Sequence, residues 1–152
     1  MKNAIITILV VILLGAGVLY FANQSVPTPS DEGTSQAAEA TYANASADLI
    51  VVDSPAPGAN VPRTIAVSGQ ARGYWFFEAS FPVTVTDADG NVLLETFIEA
   101  GDEWMTEEFV PFAKDIVVPG TYTGEAVLIL KKDNPSGLPE NDGSLSIPIN
   151  IQ

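Results

Sequence analysis

From Asp48 onward the chain alternates between apolar and polar residues over short stretches, broken by Pro, Gly, Asn and Asp. That period of two predicts strands. Asp48–Val52 reads as the first, ended by S-P-A-P-G, and Thr64–Gly69 as the second, with Ile65 and Val67 on one face. Pro82–Thr86 is the third, and D-A-D-G-N turns it into Val92–Ile98, a hairpin pattern. Phe109–Val118 holds one or two further extended segments, closed by Pro119-Gly120. Thr121–Lys131 is the clearest strand, with Tyr122, Ala126, Leu128 and Leu130 on one face. Leu145–Ile151 alternates strictly, and Pro148 on its polar side suits an edge strand whose missing donor would face solvent. About seven short strands with no helix between them predict an antiparallel β-sandwich of immunoglobulin type, with a barrel as the alternative. Pro119-Gly120-Thr121-Tyr122 sets a tyrosine where a tyrosine corner would sit, and Gly124 stands where antibody domains carry a core cysteine.

The N-terminal region has a different pattern. Ala4 to Ala22 contains no charge, and 19 helical residues would span roughly 28 Å, close to the hydrocarbon thickness of a bilayer. The run is longer than the apolar stretch of a signal peptide, and bulky Tyr20 spoils a cleavage site before Ala22, so residues 1–22 are expected to remain as an anchor. Lys2 precedes the run and the first charges after it are Asp31 and Glu32, which predicts the N-terminus inside and the domain outside the cytoplasmic membrane. Residues 23–47, with Val26 and Tyr42 their only large apolar side chains, read as a disordered linker, leaving 48–152 as the folded domain.

Charge and composition narrow the chemistry. All 19 acidic residues follow position 22, against five basic ones, so the exported part carries a formal −14. Such a surface disfavours nucleic acid and anionic headgroups as partners. Without cysteine there is no disulfide framework and no lipoprotein anchor; without histidine, Ser-His and Cys-His catalysis are excluded, as is the commonest zinc ligand.

The candidate sites are few. In R-G-Y-W-F-F-E-A-S-F-P (72–82) the charges Arg72 and Glu78 share strand parity and are expected to form a structural ion pair. Trp75, Phe77 and Phe81 are expected in the core with Val83, Val85, Tyr122 and Leu128, since a domain without disulfides needs that area. Glu78 and the carboxylates Asp102, Glu103, Glu107 and Glu108 lack an accompanying nucleophile, so no catalytic site is assigned. Asp87–Asn91 and Glu140–Gly143 place oxygen ligands beside glycine as calcium loops do, but such residues also make turns for backbone reasons, so no metal is assigned either. Tyr74 and Trp104 are the candidate recognition rings. The long loop 131–140 adds Asp133, Asn134, Ser136 and Glu140, with internal hydrogen bonding by Asn134 and Ser136 as the simpler expectation.

Several co-linear motifs, S-P-A-P-G-A-N-V (54–61), V-S-G-Q-A-R-G-Y-W-F-F-E-A (67–79), W-M-T-E-E-F-V-P-F (104–112) and K-D-N-P-S-G-L-P-E (132–140), resemble the immunoglobulin-like domain associated with bacterial spore germination proteins. The resemblance runs from about Leu49 to the C-terminus. It implies an extracytoplasmic module that accompanies other envelope domains, with no activity, cofactor or catalytic residue to carry over. The chain is too short for the companion germination domain, so the module and its placement are what the resemblance implies here. The resulting expectation is a binding or scaffolding module at the bacterial envelope, its partner an envelope protein or, alternatively, a cell-wall polymer.

Overall fold

The computed structural model describes residues 38–152. Nine strands follow in order: β1 (Thr41–Ala43), β2 (Ile50–Ser54), β3 (Ala59–Val61), β4 (Thr64–Arg72), β5 (Ser80–Asp87), β6 (Val92–Glu99), β7 (Phe109–Val117), β8 (Gly124–Lys131) and β9 (Ser144–Ile151). One sheet runs β2-β4-β7; the other runs β1-β9-β8-β5-β6, with β3 also on β9. Apart from the parallel β3–β9 pair, every pairing is antiparallel. This is the expected immunoglobulin-like sandwich.

Side-chain alternation sets the core between the sheets. On β9, Leu145, Ile147, Ile149 and Ile151 are buried while the residues between them are half-buried. Ile65 and Val67 of β4, Phe81, Val83 and Val85 of β5, and Ala126, Leu128 and Leu130 of β8 complete the pattern. Phe81 links the sheets directly, meeting Phe76 at 5.2 Å and Phe112 of β7 at 5.1 Å, both edge to face. Lys114 holds a core-parity position on β7 but turns sideways. Its Nζ donates to the Phe97 carbonyl at 2.6 Å and pairs with Glu99 at 3.1 Å, tying β7 to the margin of β6.

Several expectations are corrected. Two strands are additional to the expected set, β1 and β3. Both are three residues long, and β1 is wholly exposed, so neither carries an alternation that a sequence pattern can display. β1 falls within 23–47, so the folded domain begins ahead of Asp48. β9 is not a bare edge: β1 covers it as far as the Thr41–Ser146 pair, and β3 takes over at Ala59–Ile149. The Pro148 carbonyl accepts from Gly58 N–H on that side, so the donor proline lacks would point into the gap between β1 and β3. β8 starts at Gly124 (φ +125°), so Tyr122 precedes it; its ring is half-buried and its hydroxyl reaches forward to the Glu125 carbonyl, whereas a tyrosine corner bonds upstream.

The β5–β6 turn shows where one acidic loop spends its oxygens. Asp87 Oδ1 accepts from the Asp89 and Asn91 N–H groups at 2.9 and 2.8 Å, and Oδ2 from Asn91 Nδ2 at 2.9 Å. The Asn91 side chain above all, with those backbone donors, holds the Asp87 carboxyl below its ordinary value despite some desolvation. Among the described residues no group of three acidic side chains is placed to hold a metal ion, and no helix is long and apolar enough to cross a membrane. The anchor expected over 4–22 lies outside the described residues.

Candidate functional site

The ends of β4, β6 and β8 and the starts of β2, β5, β7 and β9 bring four connections to one end of the sandwich: 44–49, 73–79, 100–108 and 132–143. Arg72, the last residue of β4, organises two of them. Its Nε donates to the Asp48 carbonyl at 3.0 Å and Nη1 to the Glu107 carbonyl at 3.2 Å. The guanidinium lies 4.1 Å from the centre of the Phe109 ring and 3.8 Å from a Glu108 carboxylate oxygen. The expected partner, Glu78, is exposed and does not pair with it.

The reason lies in residues 73–79. Parity arguments treat them as strand, but Gly73–Trp75 form a single 3-10 turn, and Glu78 (φ +49°) and Ala79 (φ +60°) form a tight reversal closed by reciprocal Phe77–Ser80 bonds of 2.9 and 3.1 Å. Two side chains in succession, Trp75 and Phe76, therefore turn inward, and Phe77, expected in the core, is 41% exposed. Trp75 is fully buried as expected, with its Nε1 donor unpartnered.

Gly73 is where the 100–108 connection rests. A Cβ there would lie 2.1 Å from the Thr106 carbonyl oxygen and 2.2 Å from that of Trp104, so only glycine allows this backbone-on-backbone approach. Gly73 N–H also donates to the Glu108 carbonyl at 3.1 Å. The result is an open groove of about 400 Å³ lined by Gly73, Tyr74, Trp104, Met105, Thr106 and Glu107. The two recognition rings expected from sequence thus share one groove: Tyr74 is 48% exposed, while Trp104 is half-buried against the core. Sequence reasoning missed Met105, 75% exposed beside them, and Leu138, half-exposed in the neighbouring connection. A lone methionine or leucine in a loop has no period to mark it; the flanking acids of D-E-W-M-T-E-E are the only signal available.

The 132–143 connection is ordered from within. Asn134 Nδ2 donates to the Leu138 carbonyl at 2.8 Å and to Asp142 at 2.7 Å, Ser136 Oγ donates to Asn134 Oδ1 at 2.5 Å, and Asn141 Nδ2 donates to Ser136 Oγ at 3.0 Å. Asn134 and Ser136 are therefore engaged by their own loop, and Glu140 stands exposed in the 3-10 turn Pro139–Asn141. Asp133 N–H donates to the Trp75 carbonyl at 3.0 Å, joining this loop to the 73–79 segment. Burial raises the Asp133 carboxyl above its ordinary value against the pull of the Asn134 N–H, and the nearby Glu78 charge adds to the rise.

Charge at this end is one-sided. The four connections carry Asp48, Glu78, Asp102, Glu103, Glu107, Glu108, Asp133, Glu140 and Asp142, against Lys132 as their only base.

Two antiparallel sheets packed as a sandwich, with segments 73–74 and 104–107 meeting at an open groove at one end, define an all-β domain of immunoglobulin type. The chain belongs to the family described as the immunoglobulin-like domain of bacterial spore germination, whose profile matches residues 49–138. No curated protein and no solved structure matches the chain. The family match ends before β9, the strand that carries β1 and β3.

Proposed function

We propose that this chain is a membrane-tethered, extracytoplasmic interaction module of the bacterial cell envelope, binding an envelope protein without catalysing a reaction. The observation that carries the reading is the open groove of Gly73, Tyr74, Trp104, Met105, Thr106 and Glu107 at one end of a domain of this family. The uncharged apolar run Ala4–Ala22, long enough to cross a bilayer as a helix, supports the membrane tether. The absence of histidine and cysteine from the sequence supports a binding role over a hydrolytic one.

A second reading has its own support: Tyr74 and Trp104 in one groove suit stacking on a cell-wall glycan. Photo-crosslinking in intact cells, with the reactive group placed at Met105, separates the two. Adducts with one envelope protein support the first reading. Adducts confined to wall polymer move the function to the second, and a domain shielded from protease in intact cells overturns the extracytoplasmic placement.

A further inference from the structure

We infer that the groove between Tyr74 and Met105 docks a basic segment of a partner protein, one in which lysine or arginine is interspersed with apolar side chains. This rests on the interaction-module reading and adds the partner's chemistry to it.

The groove combines an apolar lining with an acidic rim. Its lining is largely apolar and polarisable: the Tyr74 ring, the half-buried indole of Trp104 and the thioether of Met105. Aromatic faces attract cations placed within about 6 Å of the ring centre, and a methionine conforms to varied apolar shapes. Its rim is acidic and largely uncompensated. Glu107 lines the groove, and the connection that supplies it, residues 100–108, holds four carboxylates and no base. Glu103 Oε1 accepts from the Met105 N–H at 3.2 Å, which positions Met105 while leaving the carboxylate charge in place. The nearest base, Arg72, is committed to the Asp48 and Glu107 carbonyls, the Phe109 ring and Glu108. It therefore offsets part of the charge on Glu108 and leaves Glu103 and Glu107 to an incoming cation.

Charge complementarity decides among occupants. A neutral sugar would use the rings but gain nothing from the carboxylates, and an anionic polymer would be repelled. A basic segment uses both: its cations meet the ring faces and Glu107, and its apolar residues cover Met105. The domain's overall negative charge would speed the encounter, so association should weaken as salt is added.

The test titrates the full chain, held in neutral-lipid nanodiscs with empty discs as the blank. The probes are an amidated octapeptide of alternating lysine and valine, its glutamate–valine counterpart, and a neutral wall-glycan fragment. Trp104 emission and calorimetry follow binding. The lysine peptide should bind, losing roughly tenfold in affinity as salt rises from about 50 to about 300 mM. Tyr74→Ala and the double variant Glu103→Gln/Glu107→Gln should each weaken it by about fivefold or more, while Asp89→Asn at the opposite end leaves it unchanged. Equal binding of the glutamate peptide, or lysine-peptide binding indifferent to both groove variants, overturns the inference. So does Tyr74-dependent binding of the glycan alone. An envelope protein crosslinked by the full chain regardless of the groove variants removes this surface but leaves the interaction reading standing; no crosslinked protein at all removes both.

Discussion

Arg72 lies over Phe109, its guanidinium carbon 4.1 Å from the ring centre, at the point where β4 ends and β7 begins. That contact and two carbonyl acceptors make Arg72 a clamp on the connections around residues 48 and 107, with the exposed Glu108 a minor partner. Arg72→Ala should therefore cost about 1–2 kcal/mol, through the lost cation–π contact and two charge-assisted hydrogen bonds. Glu108→Gln and Glu78→Gln should each change stability by less than about 0.5 kcal/mol, as surface substitutions do. Urea denaturation of the three variants checks the ranking, and a large loss in Glu78→Gln alone would contradict it.

Trp75 fills the space beneath the groove end with no exposed surface. Trp75→Ala should cost about 3–5 kcal/mol. Trp75→Phe should cost much less than its lost volume suggests, because it also removes a buried donor that has no acceptor. With only two tryptophans in the chain, acrylamide should quench one and spare the other; Trp104→Phe should leave only the protected emission.

A reversal of this type needs two left-handed residues in succession and favours Asn-Gly, so Glu78 and Ala79 are unusual occupants of it. Ala79→Gly should stabilise the domain by about 0.5–1 kcal/mol by relieving φ +60°, net of the added freedom of the unfolded chain. In a domain of this size that is a rise of a few degrees in Tm. A fall in Tm would mean the reversal is already relaxed with alanine.

Asp133 ties stability to pH. Its carboxyl is raised in the folded state, so the native protein takes up a proton at a pH where the unfolded chain has not yet done so. Stability contributed by this group therefore falls as pH rises through the folded value, and its charged form opposes folding at neutral pH. Asp133→Asn should raise Tm at pH 7, and the gain should shrink as pH drops below the ordinary carboxylate range, where the wild-type group is neutral as well. Thermal melts of both proteins at pH 7 and pH 3 read this directly. A gain of equal size at both would assign it to packing instead of charge.

The strands that bury one face were legible from residue alternation: β9, β8, β5 and β4 each repeat every second residue because one face meets the opposite sheet. β1 and β3 were not, because three-residue strands owe their existence to the open margin of β9 and not to a pattern of their own. At the groove end, Tyr74 and Trp104 could be singled out as rings in a turn-rich setting. Their meeting in one groove could not, since it depends on residues 100–108 folding back onto Gly73. The Arg72–Glu78 assignment failed for the same reason as the core assignment of Phe77: counting by twos holds only while the backbone stays extended, and the 3-10 turn resets the count.

The seating of the Trp104 and Thr106 carbonyls on Gly73 has a further consequence. Main chain pressed against main chain sets the outline of the groove, and no side chain takes part in that contact. The exposed residues at 105 and 107 can then be exchanged much as the bits of a tool are exchanged in one handle. Relatives that keep a glycine at this position could diverge in what they grip while retaining the shape that grips it.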